Sequence, residues 1–195
     1  VVEDATGNLI VFKKGRVHVK NPPLLCAHMD EVGLLVRRAD DNGFLKFSFI
    51  GGVDARVAPG KAVVLGPSAV PGVIGLKPVH LTTDDEAKQA PKAKDLYIDI
   101  GASSREEAER LVPPGTWGTF AGDVIVQNHY IKAKALDDRI GCAILLSILR
   151  EELPVDTWFA FTVQEEVGCR GAFGAAFAIQ PQTAIVFEGT TAADI

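Results

Sequence analysis

The pattern of predicted strands, helices and turns changes twice along the sequence, and these changes constrain the fold more than any other feature. Between residues 33 and 128, short β-type runs alternate with Gly, Pro and Asn, which is typical of a small β-barrel or sandwich. In residues 1–32 and 129–195, longer strand and helix patterns alternate, which predicts an α/β domain with a mostly parallel sheet flanked by helices. The sequence therefore predicts a discontinuous α/β domain with a β-rich domain inserted into it.

Turn residues and caps divide these domains into elements. Asp41-Asn42-Gly43 predicts a hairpin turn, because Asn and Gly tolerate positive φ. A helix over 105–112 follows the candidate caps Ser103 and Ser104, and a further helix is predicted over 171–178. The helix predicted from 137 to about 153 has apolar residues around most of its surface, so we expect it to be well buried. The predicted strands are 8–12, 24–27, 34–36, 44–49, 61–65, 73–76, 96–100, 124–126, 157–164 and 183–187.

Charge and composition narrow the class of protein. The formal net charge of -5 and the lack of a basic stripe argue against a nucleic-acid partner. No apolar run reaches the roughly 18 residues that a membrane helix needs, and no signal peptide opens the chain. Cys26, Cys142 and Cys169 form no CxxC pair, which favours reduced thiols and a cytoplasmic location. The sequence starts without Met and stops soon after a strand-like run, so we expect a protein truncated at both ends.

Four separate segments end on side chains of the types that can bind metal ions. Three apolar strands and one helix start carry these residues, which are His28, Asp137-Asp138, Glu165-Glu166 and Glu188. Because ligands bind beyond the carboxyl ends of parallel strands, we expect these residues to share one edge of the sheet. Imidazole and carboxylates are the ligands expected for zinc or cobalt, and a carboxylate can bridge two ions.

The two adjacent glutamates are expected to have different roles. Neighbouring side chains of a strand point to opposite faces, so we expect one of Glu165 and Glu166 to bind metal and the other to handle protons. Asp30 follows His28 closely and could accept a hydrogen bond from its second ring nitrogen, which would fix the tautomer.

Three sequence strings in this order resemble a known family. The strings 27–33, 134–141 and 164–172 are similar to those of the cocatalytic metallo-aminopeptidases that assemble into tetrahedral dodecamers, the deblocking, glutamyl and leucyl aminopeptidases of clan MH, family forty-two. Segments 4–9 and 75–81 resemble further parts of this family. The resemblance implies a zinc-peptidase-like α/β fold, an inserted PDZ-like β-barrel that serves dimerisation on the way to a dodecamer, and peptide substrates.

The resemblance also implies a role for each motif residue. Two divalent ions, zinc or cobalt, are expected. The implied ligands are His28 and Glu188 for one ion, Glu166 for the other, and Asp137 as the bridge. Glu165 resembles the general base. Because Asp30 could orient His28, we also expect it to be a catalytic residue. The bond between Asp137 and Asp138 is cis in relatives, so we expect it to be cis here.

The sequence departs from the family pattern in its histidines. Relatives carry a final His ligand near their C-terminus and an extra N-terminal helical segment, and this chain has a counterpart of neither. His18, His80 and His129 lie away from the motif ends, with His18 expected on a surface strand. The ion at Glu166 is therefore expected to lack one ligand, and the chain could be inactive.

Three other classes of protein compete with an aminopeptidase. A glycoside hydrolase also uses paired carboxylates, which must flank the scissile bond about 5–9.5 Å apart. A cysteine hydrolase built on Cys169 would need a nearby base, and no His follows Cys169 in the sequence. A relative that serves only in assembly would need no stoichiometric metal.

Overall fold

A computed structural model describes residues 1–83 and 88–192. The chain divides into two compact units, which we call the sheet unit, Val1–Glu31 with Ala135–Ile195, and the barrel unit, Val32–Lys134. The sequence predicts that the α/β domain extends to residue 195. The last three of these residues, 193–195, lie outside the described residues.

Thirteen strands and three α-helices are present in the described residues. The strands are β1 (Val2–Glu3), β2 (Leu9–Lys13), β3 (Leu24–His28), β4 (Gly33–Ala39), β5 (Leu45–Ile50), β6 (Ala62–Leu65), β7 (Val70–Gly75), β8 (Tyr97–Asp99), β9 (Trp117–Phe120), β10 (Ile125–Gln127), β11 (Tyr130–Lys132), β12 (Thr157–Thr162) and β13 (Ala184–Val186). The α-helices are α1 (Arg105–Leu111), α2 (Leu136–Ile148) and α3 (Arg170–Ile179).

The sheet unit contains a mixed sheet. Within the described residues its strand order is β1-β2-β12-β3-β13. β3 pairs in parallel with β12 and β13, whereas β2 runs antiparallel to β1 and β12. The prediction of a mostly parallel sheet is therefore corrected to a mixed one, because the first two strands form an antiparallel pair at the N-terminal edge.

Each face of this sheet is covered by a helix. Alternate residues of β12 point to opposite faces, so Phe159 and Phe161 pack with Leu145 of α2, while Ala160 packs with Ala175 of α3. The sheet unit is thus a layered α/β structure, as predicted, and its three parallel strands end at a common edge.

Helix α2 is less buried than its sequence suggests. Its inward face carries Cys142 and Leu145, but Ile140, Ile144 and Leu146 are 43%, 39% and 52% exposed. The helix ends at Ile148 rather than near 153. The prediction of a well-buried helix was wrong, because only one face of α2 contacts the sheet.

The barrel unit contains a closed barrel. The described residues form it in the order β4-β5-β8-β7-β6-β9, with all pairs antiparallel. Its interior is apolar and includes Leu34, Leu45, Ile74 and Ile98, each almost fully buried. Helix α1 begins after Ser104, whose side chain accepts the backbone N–H of Glu107, as the predicted cap requires.

Two strands of the barrel unit had not been predicted. β9 closes the barrel between β4 and β6, and β11 pairs with β10 in a separate two-stranded ribbon. The run predicted over 124–126 thus forms a ribbon and not a barrel strand. Among the described residues, no helix is both long enough and apolar enough to cross a membrane.

Candidate metal centre

The predicted site residues meet at the edge where the parallel strands end. His28 is the last residue of β3, and Glu188 follows β13 after a single intervening residue. Glu165 and Glu166 follow β12, and Asp137 lies at the start of α2. The order of strands in the sheet unit therefore brings the four motif segments together.

His28 lies at the centre of this group. Its side chain is only 2% exposed, and its Nε2 atom lies 3.0 Å from Asp137 Oδ1 and 3.4 Å from Glu188 Oε1. Glu165 Oε2 lies 3.9 Å from the same nitrogen. One nitrogen of a buried imidazole thus lies within 4 Å of three carboxylates.

The other ring nitrogen of His28 fixes the proton arrangement. Nδ1 lies 3.1 Å from the backbone carbonyl oxygen of Asp30, and a carbonyl oxygen can only accept, so Nδ1 donates. In neutral His28, Nε2 then turns a lone pair toward the carboxylates. Such an arrangement requires a cation, either a proton on Nε2 or a metal ion among the oxygens.

The pKa values in the group reflect the same crowding of negative charge. Burial alone would lower the pKa of His28, but Asp137 and the neighbouring carboxylates raise it above its ordinary value. The pKa of Glu188 is raised by burial and by its contact with Asp137. The pKa of Glu166 is raised by burial and by the charge of Asp137. Burial and the neighbouring carboxylates thus raise the pKa values of Glu166 and Glu188, and the carboxylates also raise the pKa of His28.

The spacing of the ligand atoms fits a metal ion. Two ligands of a tetrahedral zinc ion lie about 3.4 Å apart when each is about 2.1 Å from the metal. The separations of 3.0 Å and 3.4 Å from Nε2 to Asp137 and Glu188 are of this size. Imidazole and carboxylate donors therefore fit zinc or cobalt at this position in chemistry and in spacing.

Two aspartates compete for the ligand role beside His28 and Glu188. A wider grouping joins His28, Glu188 and Asp138, whose ligand atoms lie within 4.8 Å of one another. However, Asp138 is fully buried and its two oxygens accept the backbone N–H groups of His28 and Gly141, each at 3.1 Å. Asp137 is 57% exposed and its Oδ1 lies 3.0 Å from Nε2, so its carboxylate is more accessible to an ion than that of Asp138.

The peptide bond between Asp137 and Asp138 is cis, which confirms the prediction. Burial raises the pKa of Asp138, although the N–H groups of His28 and Gly141 act in the opposite direction.

Glu165 and Glu166 do not lie in a strand. β12 ends at Thr162, and Gln164 adopts a left-handed conformation with φ of 59°. The expectation that strand alternation separates the two glutamates was therefore wrong, because the chain has already turned before reaching them. Their side chains are directed by the turn and not by the pleat of a sheet.

Asp30 holds this turn. Its Oδ1 and Oδ2 atoms accept the backbone N–H groups of Glu165 and Glu166 at 3.0 Å and 3.1 Å. The sequence had predicted a contact between Asp30 and the second ring nitrogen of His28. That nitrogen instead donates to the backbone carbonyl of Asp30, with the carboxylate 3.4 Å away.

Other residues that support the site were missed at the sequence level. The thiol of Cys142 donates to the carbonyl of His28 at 3.1 Å, and Nε of Arg139 donates to the carbonyl of Met29 at 2.6 Å. The thiol of Cys169 donates to Glu165 Oε1 at 3.2 Å. Arg139 and Cys169 belong to the recognised strings, but their spacing in the sequence does not show which atoms they contact.

The remaining histidines lie in other segments of the chain. His18 contacts Asp156 Oδ1 at 3.0 Å, beside the first residue of β12, at the opposite end of that strand from the glutamates. It lies in an irregular segment, not on the predicted surface strand. His80 lies in a short 3₁₀ helix and His129 in the turn between β10 and β11, both in the barrel unit.

Comparison with known proteins identifies the family. The family described as M42 glutamyl aminopeptidase matches residues 7–195. The chain belongs to this family.

Individual relatives agree with this assignment. A protein of Acetivibrio thermocellus, provisionally named an aminopeptidase, is 42% identical over 98% of this chain and 56% of its own length. The TET1 peptidase of Pyrococcus horikoshii, which can assemble into a tetrahedron or a large octahedral shell, is 37% identical with a TM-score of 0.82, covering 98% of this chain and 61% of its own. A Thermotoga maritima structure named an endoglucanase is 38% identical with a TM-score of 0.79, and the match covers 100% of this chain and 57% of that protein. The chain spans about half the length of the curated relatives it matches.

Proposed function

We propose that the sheet unit provides the catalytic region of a metal-dependent aminopeptidase. The observation that carries this proposal is the position of His28, whose Nε2 faces the carboxylates of Asp137 and Glu188 at 3.0 Å and 3.4 Å, with Glu165 just beyond them. Membership of an aminopeptidase family supports the same conclusion.

Two divalent ions, zinc or cobalt, would supply the chemistry. His28 and Glu188 would hold one ion, Glu166 would hold the other, and Asp137 would contribute to both. When bound, such ions lower the pKa of water and polarise the scissile carbonyl group. The ion at His28 is the better supported of the two, because Nε2 of His28 lies 3.0 Å from Asp137 and 3.4 Å from Glu188.

Glu165 is the general base. Its carboxylate takes a proton from the attacking water and passes it to the nitrogen of the leaving amine. The Cys169 thiol holds Oε1 at 3.2 Å, which leaves Oε2 toward the site, 3.9 Å from His28. Because the family is one of aminopeptidases, we propose peptides with a free N-terminus as substrates.

The barrel unit serves self-association in this proposal. Dimers would build toward a dodecamer, and the assembly of the Pyrococcus horikoshii relative supports this idea. A cytoplasmic location is supported by Cys26, Cys142 and Cys169, which are all unpaired thiols.

Rival chemistries have less support from the geometry. A nucleophilic Cys169 would need a depressed pKa, whereas the contact with Glu165 raises the pKa of this thiol. A glycoside hydrolase, suggested by the name of the Thermotoga maritima relative, would leave the cluster of His28, Asp137 and Glu188 without a purpose.

Metal analysis combined with hydrolysis assays tests the proposal. The chain is loaded with Zn²⁺ or Co²⁺, dialysed, and compared with His28→Ala and with His18→Ala, which removes a histidine from the opposite end of β12. We expect retained metal and hydrolysis of aminoacyl-p-nitroanilides in the parent chain and in His18→Ala, and neither in His28→Ala.

Other results would contradict the proposal in distinguishable ways. Equal metal retention by His28→Ala would refute the site. A parent chain that retains no metal would indicate a protein that serves only in assembly. Hydrolysis of a cellulose oligomer without added metal would favour the glycoside hydrolase instead.

A further inference from the structure

Asn8 is a fully buried polar residue to which the proposed chemistry assigns no role. It lies immediately before β2 and is 0% exposed. An uncharged amide in such a position is stable only when its donors and acceptors are all paired. Its partners therefore show what the residue holds in place.

The side chain of Asn8 bridges the two ends of the turn that carries Glu165 and Glu166. Its Oδ1 atom accepts the backbone N–H of Val163 at 3.0 Å, and its Nδ2 atom donates to the carbonyl of Gly171 at 2.9 Å. The N–H of Gly171 donates to the carbonyl of Val163 at 3.0 Å. This backbone hydrogen bond does not use the N–H of Val163 or the carbonyl of Gly171. The amide of Asn8 therefore binds these two groups, as a neighbouring peptide group would.

A second layer of contacts holds Asn8 itself. Nδ2 also donates to Asp4 Oδ2 at 2.7 Å and lies 3.0 Å from Thr6 Oγ1. The backbone N–H groups of Thr6 and Asn8 and the hydroxyl of Thr6 donate to Asp4 Oδ1. The amide plane is thus fixed by a carboxylate on one side and by the turn on the other.

The closed segment between these anchors contains the proposed base. Within 163–171, the N–H of Arg170 donates to the carbonyl of Gln164, and the N–H groups of Gly168 and Cys169 donate to the carbonyl of Glu165. Asp30 holds the N–H groups of Glu165 and Glu166 from the other side. Asn8 and Asp30 therefore both bind the backbone of the segment that carries Glu165.

We propose that Asn8 is a positioning residue, which sets the place of Glu165 and Glu166 by clamping Val163 to Gly171. The contribution of Asn8 to catalysis rests on the proposed aminopeptidase function, whereas its effect on the structure of the turn does not. A buried polar residue with a merely stabilising role would change the unfolding temperature without changing the turn selectively.

The test compares Asn8→Ala with Asp156→Ala in the full chain. Asp156 is also buried and accepts a backbone N–H, that of Gly15 at 2.9 Å, but it lies at the opposite end of β12. Both variants should lower the unfolding temperature. Only Asn8→Ala should speed hydrogen exchange across 163–171 and alkylation of Cys169 several-fold. Its turnover of aminoacyl-p-nitroanilides should fall about 100-fold, the cost of a roughly 1 Å misplacement of a catalytic group.

The results separate this proposal from the proposed function. If both variants show the same exchange in 163–171 and the same Cys169 reactivity, Asn8 has no positioning role. If the parent chain does not hydrolyse peptide substrates, the aminopeptidase proposal fails, while the exchange and alkylation data still decide the role of Asn8. Should Asn8→Ala not fold, Thr6→Val removes an exposed hydroxyl that donates to Asp4 Oδ1 and lies 3.0 Å from Nδ2. Thr6→Val should then show a smaller effect in the same direction, and values like those of the parent chain would overturn the proposal.

Discussion

The carboxylate of Asp30 accepts the backbone N–H of Glu165 at 3.0 Å, although the two residues are 135 positions apart in the sequence. The second carboxylate oxygen accepts the N–H of Glu166 at 3.1 Å. The backbone carbonyl of Asp30 meanwhile accepts Nδ1 of His28. A single residue after β3 thus orients the proposed ligand His28 through its backbone and both glutamates through its side chain.

Asp30→Ala should loosen both glutamates at once. The variant leaves two backbone N–H groups without their carboxylate partner, so we expect activity to fall about 10- to 100-fold, as is usual when a partner of a site residue is lost. Asp30→Asn should lose less, because one amide oxygen can still accept. The measurement is hydrolysis of aminoacyl-p-nitroanilides, together with hydrogen exchange at the two glutamate amides.

A control for this variant lies in the barrel unit. Asp54 is an exposed aspartate that also accepts a backbone N–H, that of Arg56. Asp54→Ala should leave both measurements unchanged. Equal losses in the Asp30 and Asp54 variants would argue against a specific role for Asp30.

The thiol of Cys169 should react slowly with alkylating reagents although it is exposed. Its hydrogen bond to Glu165 at 3.2 Å disfavours the thiolate and raises the pKa of the thiol above its ordinary value. We expect iodoacetamide to modify Cys169 at pH 8 several-fold more slowly than a free thiol. Glu165→Gln should speed the reaction, because the neighbouring negative charge is lost.

Peptide mass spectrometry separates this thiol from the others. Cys26 and Cys142 are buried and should stay unmodified in the folded protein, which makes them internal controls. A Cys169 rate that does not change in Glu165→Gln would contradict the contact.

The strand ends beside His28 and Glu188 could be predicted from the sequence, whereas the end of β12 and the arrangement beyond the strands could not. Apolar runs that stop at His28 and Glu188 show where strands end, and a common edge follows from parallel pairing. The sequence does not predict the left-handed conformation of Gln164, because positive φ is rare in residues other than Gly. The contacts of Asn8 and Asp30 depend on rotamers and on residues far apart in the chain, and spacing does not encode them.

Acid should weaken the sheet unit through Asp4. Burial raises the pKa of Asp4, but hydrogen bonds from Thr6 and Asn8 outweigh this effect and lower it from 3.8 to about 2. Because the folded-state pKa is below the unfolded one, the stabilisation is fully present above about pH 4 and disappears as the pH falls to about 2. In urea unfolding, Asp4→Asn should therefore be less stable than the parent chain at pH 7 and nearly equal to it at pH 2.

Glu3→Gln serves as the charge-matched control for Asp4. It removes a carboxylate from the adjacent position and should not reproduce this pH dependence. A constant difference in the free energy of unfolding between Asp4→Asn and the parent chain from pH 7 to pH 2 would rule out the linkage.

Two glycines of α3 should respond in opposite ways to alanine. A Cβ at Gly171 would lie 2.3 Å from the carbonyl oxygen of Val163 and 2.4 Å from Oδ1 of Asn8, so the clamp at the base of the turn would have to open. A Cβ at Gly174 would meet nothing closer than 3.7 Å, at Thr6. We expect Gly171→Ala to destabilise the protein by about 1–3 kcal/mol. Gly174→Ala should stabilise it by up to about 1 kcal/mol through helix propensity. Urea unfolding measures both changes, and equal stability of the two variants would show that Gly171 is not needed for the close approach of α3 to Val163 and Asn8.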